Sequence, residues 1–190
     1  MSRVLGPQSY RRSPWKNGLG STLELAADAA DWSWRLSIAE VPARARFSEY
    51  PGVDRLLLCL EGPGLRIWRL GTPQEVPREG EAARFLGEET VEGEPLGPGV
   101  RDIGLMVRRE RWRASMRLAR GGGFELDGTA ALVHVPSWAR SARVSAEGGD
   151  MEIPPGGTLV AAGRVTAAQV EAAVACELSP APLYAARMRA

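Results

Sequence analysis

The chain has 190 residues, of which 44% are hydrophobic, and its formal net charge is +1. This length fits one large domain or two small fused ones, and the hydrophobic fraction excludes a disordered chain. The near-neutral charge argues against nucleic acid and against an anionic membrane surface as partners.

The N-terminal segment, Met1 to Tyr10, has no apolar stretch of the kind found in secretory signals. No run approaches the ~18 apolar residues that a membrane-spanning helix needs. We therefore expect a cytoplasmic protein.

Glycine (22 residues) and proline (14 residues) recur between short apolar runs along the whole chain, which is typical of a β-sandwich or barrel. The turn Gly62-Pro63-Gly64 indicates a hairpin. A first group of strands is predicted at Ser21–Ala26, Trp32–Ala39, Arg55–Glu61, Leu65–Leu70 and Ile103–Arg108.

A second group of strands is predicted at Ala130–Val135, Met151–Ile153, Thr158–Ala161 and Leu183–Met188. The alanine-rich segment Val165–Cys176 is interpreted as a loop or short helix that leads into a strand near Val174. The glycines at 121–123 separate the two groups. The whole chain, 1–190, is therefore predicted to be one unit with internal lobes 1–118 and 119–190.

Metal binding has little support, because a metal site inside a β-barrel typically uses several imidazoles and the chain has one histidine, His134. We interpret His134 as a core-edge or surface residue. No nucleophile elbow and no phosphate-binding loop are present. We expect neither a metal nor another cofactor.

Three polar islands interrupt the first group of strands. The first runs from Trp15 to Glu24 and combines an indole, a cation, an amide, a hydroxyl and a carboxylate around two glycines, which allow close backbone approach. It reads equally well as an ordinary turn with a solvated lysine. Its candidate ligand-binding residues are Trp15, Lys16, Asn17, Thr22 and Glu24.

The second island is Trp34–Ala39. Period-two alternation places Trp34 and Arg35 on opposite faces, with Trp34 towards the core. Arg35 and Ser37 face either solvent or a wet pocket between the lobes.

The third island runs from Phe47 to Arg55, where Pro51-Gly52 favours a turn. Asp54 and Arg55 then lie at the mouth of a strand. They form either a surface ion pair of little energetic value, or a site where Arg55 grips a carboxylate with two hydrogen bonds.

These islands, in this order and followed by Asp102, Met106 and Arg108, resemble the HutD/Ves family. The resemblance implies an all-β bicupin, with two cupin-like barrels in one chain and without the usual metal ligands. It also implies a link to bacterial histidine utilisation, through binding of a pathway metabolite. The chain departs from the family pattern at Leu23, where arginine is usual, and at Gly104, where asparagine is usual.

Three functions remain open. The first is a regulatory protein that binds a small anionic metabolite, such as urocanate or a formylated glutamate, through the residues of the islands and Asp102. The second is a metal-independent isomerase or lyase acting on a small acid or sugar, with Asp102 or Glu24 as acid or base. The third is a protein-interaction scaffold, and homodimerisation is open as well. The full predicted binding set is Trp15, Lys16, Asn17, Thr22, Glu24, Trp34, Arg35, Ser37, Arg55 and Asp102.

Overall fold

The structure, a computed structural model, describes residues 2–15 and 20–182. Strands form nearly all of the regular structure in these residues, so the predicted all-β class is confirmed. No helix in this part of the chain is long and apolar enough to cross a membrane. The strands in chain order are β1 (Arg3–Leu5), β2 (Arg11–Pro14), β3 (Ser21–Ala27), β4 (Trp34–Glu40), β5 (Ala45–Arg46), β6 (Val53–Glu61), β7 (Leu65–Arg69), β8 (Thr72–Glu75), β9 (Gly80–Glu81), β10 (Ala83–Leu86), β11 (Val91–Pro95), β12 (Arg101–Arg108), β13 (Trp112–Leu126), β14 (Ala130–His134), β15 (Ala142–Ala146), β16 (Gly149–Ile153), β17 (Thr158–Ala162) and β18 (Val165–Pro180).

The strands fall into two compact units. We call residues 11–78 and 82–109 the N-unit, and the described parts of 1–10, 79–81 and 110–190 the C-unit. The division therefore lies at 109/110, whereas the predicted lobe boundary at 118/119 falls inside β13.

The glycines at 121–123 belong to β13 and do not form a linker. The register of β13 against β18 shifts between Gly122 and Phe124, as in a β-bulge. A Cβ atom on Gly123 would lie 2.5 Å from the carbonyl oxygen of Ala167. Glycine is thus required here by the close approach of two backbones.

The N-unit consists of two antiparallel sheets. The six-stranded sheet has the order β10-β6-β12-β4-β3-β2, and the four-stranded sheet has the order β5-β11-β7-β8. One apolar cluster joins residues of both sheets, so a core lies between them. Its members include Leu57, Cys59, Phe85, Leu65, Ile67 and Val91.

The alternation predicted for β4 is confirmed. Trp34, Leu36 and Ile38 are buried on one face of the strand, while Arg35 is only partly buried. Strand β6, which β12 separates from β4, is buried on both faces through Leu56–Leu60, and this explains its uninterrupted apolar run.

The C-unit is built on one eight-stranded sheet in which β18 pairs with β13, β14 and β15. The strand predicted near Val174 is confirmed, but the loop or short helix predicted before it was wrong, because β18 already begins at Val165. Its small residues are buried on both faces from Ala172 to Cys176. Tertiary packing thus overrides the helix propensity of alanine.

His134 lies in the core of the C-unit, and its placement at the surface or core edge was wrong. Its side chain is buried, and its Nδ1 atom lies 3.0 Å from Thr158 Oγ1. That hydroxyl lies 2.7 Å from the Tyr10 hydroxyl, which also donates to the carbonyl oxygen of Gly156. The last predicted strand, Leu183–Met188, lies outside the described residues.

Candidate functional site

A cavity of about 500 Å³ lies within the N-unit. This volume is in the range of small-molecule binding sites. Its wall is formed mainly by the face of the six-stranded sheet that carries Arg55 and Leu57, together with the segment from Arg46 to Tyr50.

Strand register arranges the polar wall residues in three cross-strand rows. The arginine row consists of Arg35, Met106 and Arg55 on β4, β12 and β6. The middle row consists of Glu24, Ser37, Gly104 and Leu57, and the acid row consists of Thr22, Ala39, Asp102 and Cys59.

Arg55 is held by aromatic rings and a backbone carbonyl. Its guanidinium carbon lies 5.0 Å from the ring centroid of Phe47 and 4.9 Å from that of Phe85. Its Nη1 atom donates to the carbonyl oxygen of Ser48 at 3.1 Å. Burial lowers the pKa of Arg55 to about 10, against the opposing effect of the Asp102 charge. The side chain therefore remains a cation at neutral pH.

Arg35 is held in a similar way. Its guanidinium carbon lies 5.0 Å from the Trp32 ring centroid and 5.8 Å from that of Tyr50. Its Nη2 atom lies 3.4 Å from Met106 Sδ, and its buried Nε atom has no hydrogen-bond partner. Among the described residues, no carboxylate forms a salt bridge with Arg35 or with Arg55.

Asp102 is the buried acid of the wall, with only 4% of its surface exposed. Burial raises its pKa to about 7, and this rise is opposed by the charge of Arg55 and by a hydrogen bond from the backbone N–H of Ala39. The carboxyl group therefore changes its charge near neutral pH.

Three further polar side chains of the wall, Trp15, Thr22 and Glu24, are paired with neighbours. Trp15 donates from Nε1 to Thr22 Oγ1 at 2.9 Å, and its ring packs against the apolar core of the N-unit. Glu24 accepts a hydrogen bond from Arg11 at 2.9 Å. These contacts fix the edge of the sheet beside the cavity.

The structure brings most of the predicted binding set together. Trp34 was predicted to bind the ligand, but it does not line the cavity, because the strand face that it shares with Leu36 is buried on the other side. Lys16 and Asn17 lie outside the described residues. The predicted residues that line the cavity are Trp15, Thr22, Glu24, Arg35, Ser37, Arg55 and Asp102.

The wall residues that were missing from the predicted set include four near the arginines and Asp102: Phe47, Tyr50, Gly104 and Met106. All four lie in or beside the motifs that carry the family resemblance. Period-two alternation from Asp102 would have selected Gly104 and Met106. No local pattern indicates that Phe47 and Tyr50 turn towards Arg55 and Arg35.

Asp54 and Arg55 do not form the surface ion pair that was one reading of the third island. They point to opposite faces of β6, as consecutive strand residues do. Asp54 instead accepts a hydrogen bond from Arg109 Nε at 2.6 Å and lies 3.6 Å from Arg84. Arg55 is thereby left facing the cavity.

The wall does not fit a cupin-type metal. The only histidine of the sequence, His134, belongs to the C-unit. Among residues 2–15 and 20–182, no group of three or more His, Cys, Asp or Glu side chains could hold a metal ion. The cations Arg35 and Arg55 occupy positions in the wall where a metal site needs donor atoms.

Solved structures share this fold. A conserved protein of unknown function from Pseudomonas aeruginosa PAO1 superposes with a TM-score of 0.81 at 29% identity, covering 95% of this chain and 99% of that one. HutD from Pseudomonas fluorescens SBW25 superposes with a TM-score of 0.76 at 24% identity, again covering 95% of this chain and 99% of that one. A cupin 2 conserved barrel domain protein from Leptotrichia buccalis gives 0.56 at 9%, covering 83% and 88%. Fold and site together define a cupin-like protein with arginines in its cavity wall.

The chain belongs to the HutD family, whose model matches residues 7–178. An uncharacterised 21.2 kDa protein in the hutC 3′ region of Pseudomonas putida is 35% identical over 119 residues, which are 60% of this chain and 63% of that protein. Protein Ves of Cronobacter sakazakii is 33% identical over 108 residues, 55% of this chain and 60% of that protein. These matches thus span about three fifths of each relative.

Proposed function

We propose that this protein binds a small carboxylate metabolite in the cavity of the N-unit and acts as a regulator of histidine utilisation. The observation that carries the proposal is the pair of cavity-facing guanidinium groups, Arg35 and Arg55, for which the described residues provide no carboxylate partner. Guanidinium groups bind carboxylates with two parallel hydrogen bonds, and they do so most strongly where water is excluded. Candidate ligands are urocanate and a formylated glutamate.

The aromatic contacts support a binding role for both arginines. A carboxylate partner would neutralise a guanidinium group, whereas an aromatic ring holds it in place and leaves its charge available. Each arginine is positioned in this second way, Arg55 by Phe47 and Phe85 and Arg35 by Trp32 and Tyr50.

The link to histidine utilisation is supported by the names of the relatives. One similar structure is HutD of P. fluorescens, and one similar sequence lies in the hutC 3′ region of P. putida. Intermediates of histidine breakdown are therefore the first ligands to test.

The test is calorimetric titration of the full chain with urocanate, formylglutamate and simple carboxylic acids, and with their uncharged amides. We expect saturable binding of at least one acid and none of its amide. Arg35→Met and Arg55→Met keep the length of the side chain against the aromatic rings but remove its charge, and each should weaken binding at least ~10-fold. Arg66→Met removes a surface guanidinium on β7 and serves as the matched control. Failure of every acid to bind would refute the proposal.

A second candidate is metal-independent acid–base catalysis on the same carboxylate, favoured by one observation. Asp102 is buried in the wall and has a pKa of about 7, where a group can both take up and release a proton. Exchange of ligand C–H protons with deuterated water, unaffected by chelators and abolished in Asp102→Asn, would distinguish catalysis from binding alone.

A further inference from the structure

The cavity is chemically different at its two ends. At one end the arginine row presents two cations, and at the other the acid row presents Asp102. Between them lies Gly104, which contributes no side chain to the middle of β12. A ligand can therefore extend along β12 from one row to the other.

At the acid row, no side chain of the described residues donates a hydrogen bond to Asp102. Asp102 receives a hydrogen bond from the backbone N–H of Ala39, and among the described residues no side chain forms a hydrogen bond or salt bridge with it. Arg55, a cation of the same wall, acts on it only through space. A buried carboxyl group that accepts fewer hydrogen bonds than it can destabilises the fold unless a ligand supplies the missing donor.

A neighbouring acceptor strengthens this assignment. Glu24 lines the same cavity in the middle row, next to Ser37. One of its carboxylate oxygens, Oε1, is bonded to Arg11, and no hydrogen bond from a described residue reaches Oε2. Asp102 and Glu24 thus both retain capacity to accept hydrogen bonds.

We infer that the ligand is a bipolar carboxylate, whose acid group binds at the arginine row and whose opposite end carries an N–H donor that binds Asp102. This inference rests on the proposed function, because it assigns a second end to the same ligand. A nitrogen heterocycle, an amine or an amide N–H would serve as the donor, whereas a second carboxylate at that position would be repelled by the ionised form of Asp102.

The length of the ligand follows from strand geometry. Met106 and Asp102 are four residues apart on β12, so their Cα atoms are separated by roughly 13 Å. A hydrogen bond of about 3 Å at each end leaves roughly half of this distance for the ligand. That length suits one small ring or a chain of about five atoms.

The test compares matched acids that differ in the donor alone, by calorimetric titration of the full chain. Urocanate and 3-(2-furyl)acrylate share the acrylate group and a five-membered ring, but only the first has a ring N–H. 5-Aminopentanoate and pentanoate form a flexible second pair. We expect the donor-bearing acid to bind at least 10-fold more tightly in at least one pair, and Asp102→Leu to reduce that preference to less than 3-fold.

Two variants separate recognition from folding. Asp102→Asn keeps an acceptor oxygen of the same size and should retain part of the preference if Asp102→Leu fails to fold. Glu24→Gln measures the contribution of the neighbouring carboxylate.

The outcomes are distinct. Equal binding within both pairs, with loss in Arg55→Met, would overturn the bipolar ligand and leave the proposed function standing. A preference that persists unchanged in Asp102→Leu and Asp102→Asn would overturn the role of Asp102. Absence of binding by any carboxylate would overturn both proposals.

Discussion

Asp102 and Arg55 lie on adjacent strands in the wall of one cavity, yet they do not form a salt bridge. The register explains the separation, because Asp102 lies opposite Cys59 and Arg55 lies opposite Met106, four residues away along β6. Burial acts on both groups in the direction that disfavours charge, raising the pKa of Asp102 and lowering that of Arg55. Separated buried charges destabilise a fold, and such groups are characteristic of binding and catalytic sites.

Asp102 should make stability depend on pH. Its pKa is 3.8 in the unfolded chain and about 7 in the folded one, so the folded state holds the proton more tightly between these values. Stability from this group is complete below pH 4 and is lost as the pH rises towards 7. Asp102→Asn stays neutral, so it should melt on the order of 5 °C above the wild type at pH 8 and level with it at pH 4.

Arg55 and the Cys59 thiol interact electrostatically with Asp102. These two groups and the other charged wall residues are present in both proteins; the latter are Glu24, Arg35, Arg46 and Glu49. The difference between the two melting curves therefore isolates Asp102. Asp54→Asn is the matched control, because this carboxylate is paired with Arg109 and its loss should lower the melting temperature at pH 8. A difference in melting temperature between the wild type and Asp102→Asn that does not change with pH would contradict the assignment of the pH dependence to Asp102.

The rings beside Arg55 should contribute to affinity for a carboxylate. Phe47→Leu keeps an apolar side chain but removes the π face that lies 5.0 Å from the guanidinium carbon. A cation–π contact of about 1 kcal/mol corresponds to a loss of roughly 5-fold in affinity. Phe124→Leu makes the same change in a buried ring of the C-unit and should leave the dissociation constant unaltered.

The buried hydroxyl of Thr158 should stabilise the C-unit. It lies between the Tyr10 hydroxyl and His134 Nδ1, and Thr158→Val places a methyl group against both. We expect unfolding to become easier by about 1–3 kcal/mol in denaturant titrations. Ser145→Ala, which removes an exposed hydrogen bond to Asp150, should cost less than about 0.5 kcal/mol. Equal effects of the two substitutions would contradict the role of burial.

The sequence predicted the local pattern of the sheet and much of the wall. Alternation correctly placed Trp34 and Arg35 on opposite faces, because the period of a strand depends on backbone geometry alone. The strand conformation of Val165–Cys176 depends on pairing with three strands that are distant in sequence. Helix propensity contains no information about these partners.

The contacts of the site were also beyond local prediction. Asp54 pairs with Arg109, whereas Arg55 contacts Phe47 and Phe85. Both sets of contacts follow from strand pairing and from the path of the segment before β6. Neither can be inferred from adjacent residues. The motif order supplied the family, and only the three-dimensional register shows which motif residues share a row.

Gly104 should control the space available to the ligand. A Cβ atom at this position would lie 3.5 Å from Leu57 Cδ1 and 3.8 Å from the carbonyl oxygen of Leu56, both ordinary contacts. Gly104→Ala should therefore fold with an unchanged or slightly higher melting temperature, because alanine loses less backbone entropy than glycine. Gly104→Asn should also fold, but its side chain would occupy the middle of the cavity.

We expect affinity for the best carboxylate to fall about 3-fold in Gly104→Ala and at least ~10-fold in Gly104→Asn, as measured by calorimetric titration. Gly93→Ala provides the contrast, since its Cβ atom would lie 2.7 Å from the Phe47 ring and must displace it. That variant should lose stability as well as affinity, whereas the Gly104 variants should lose affinity alone. Undiminished binding by Gly104→Asn would show that the ligand does not lie across β12, and the acid row would then have no part in recognising it.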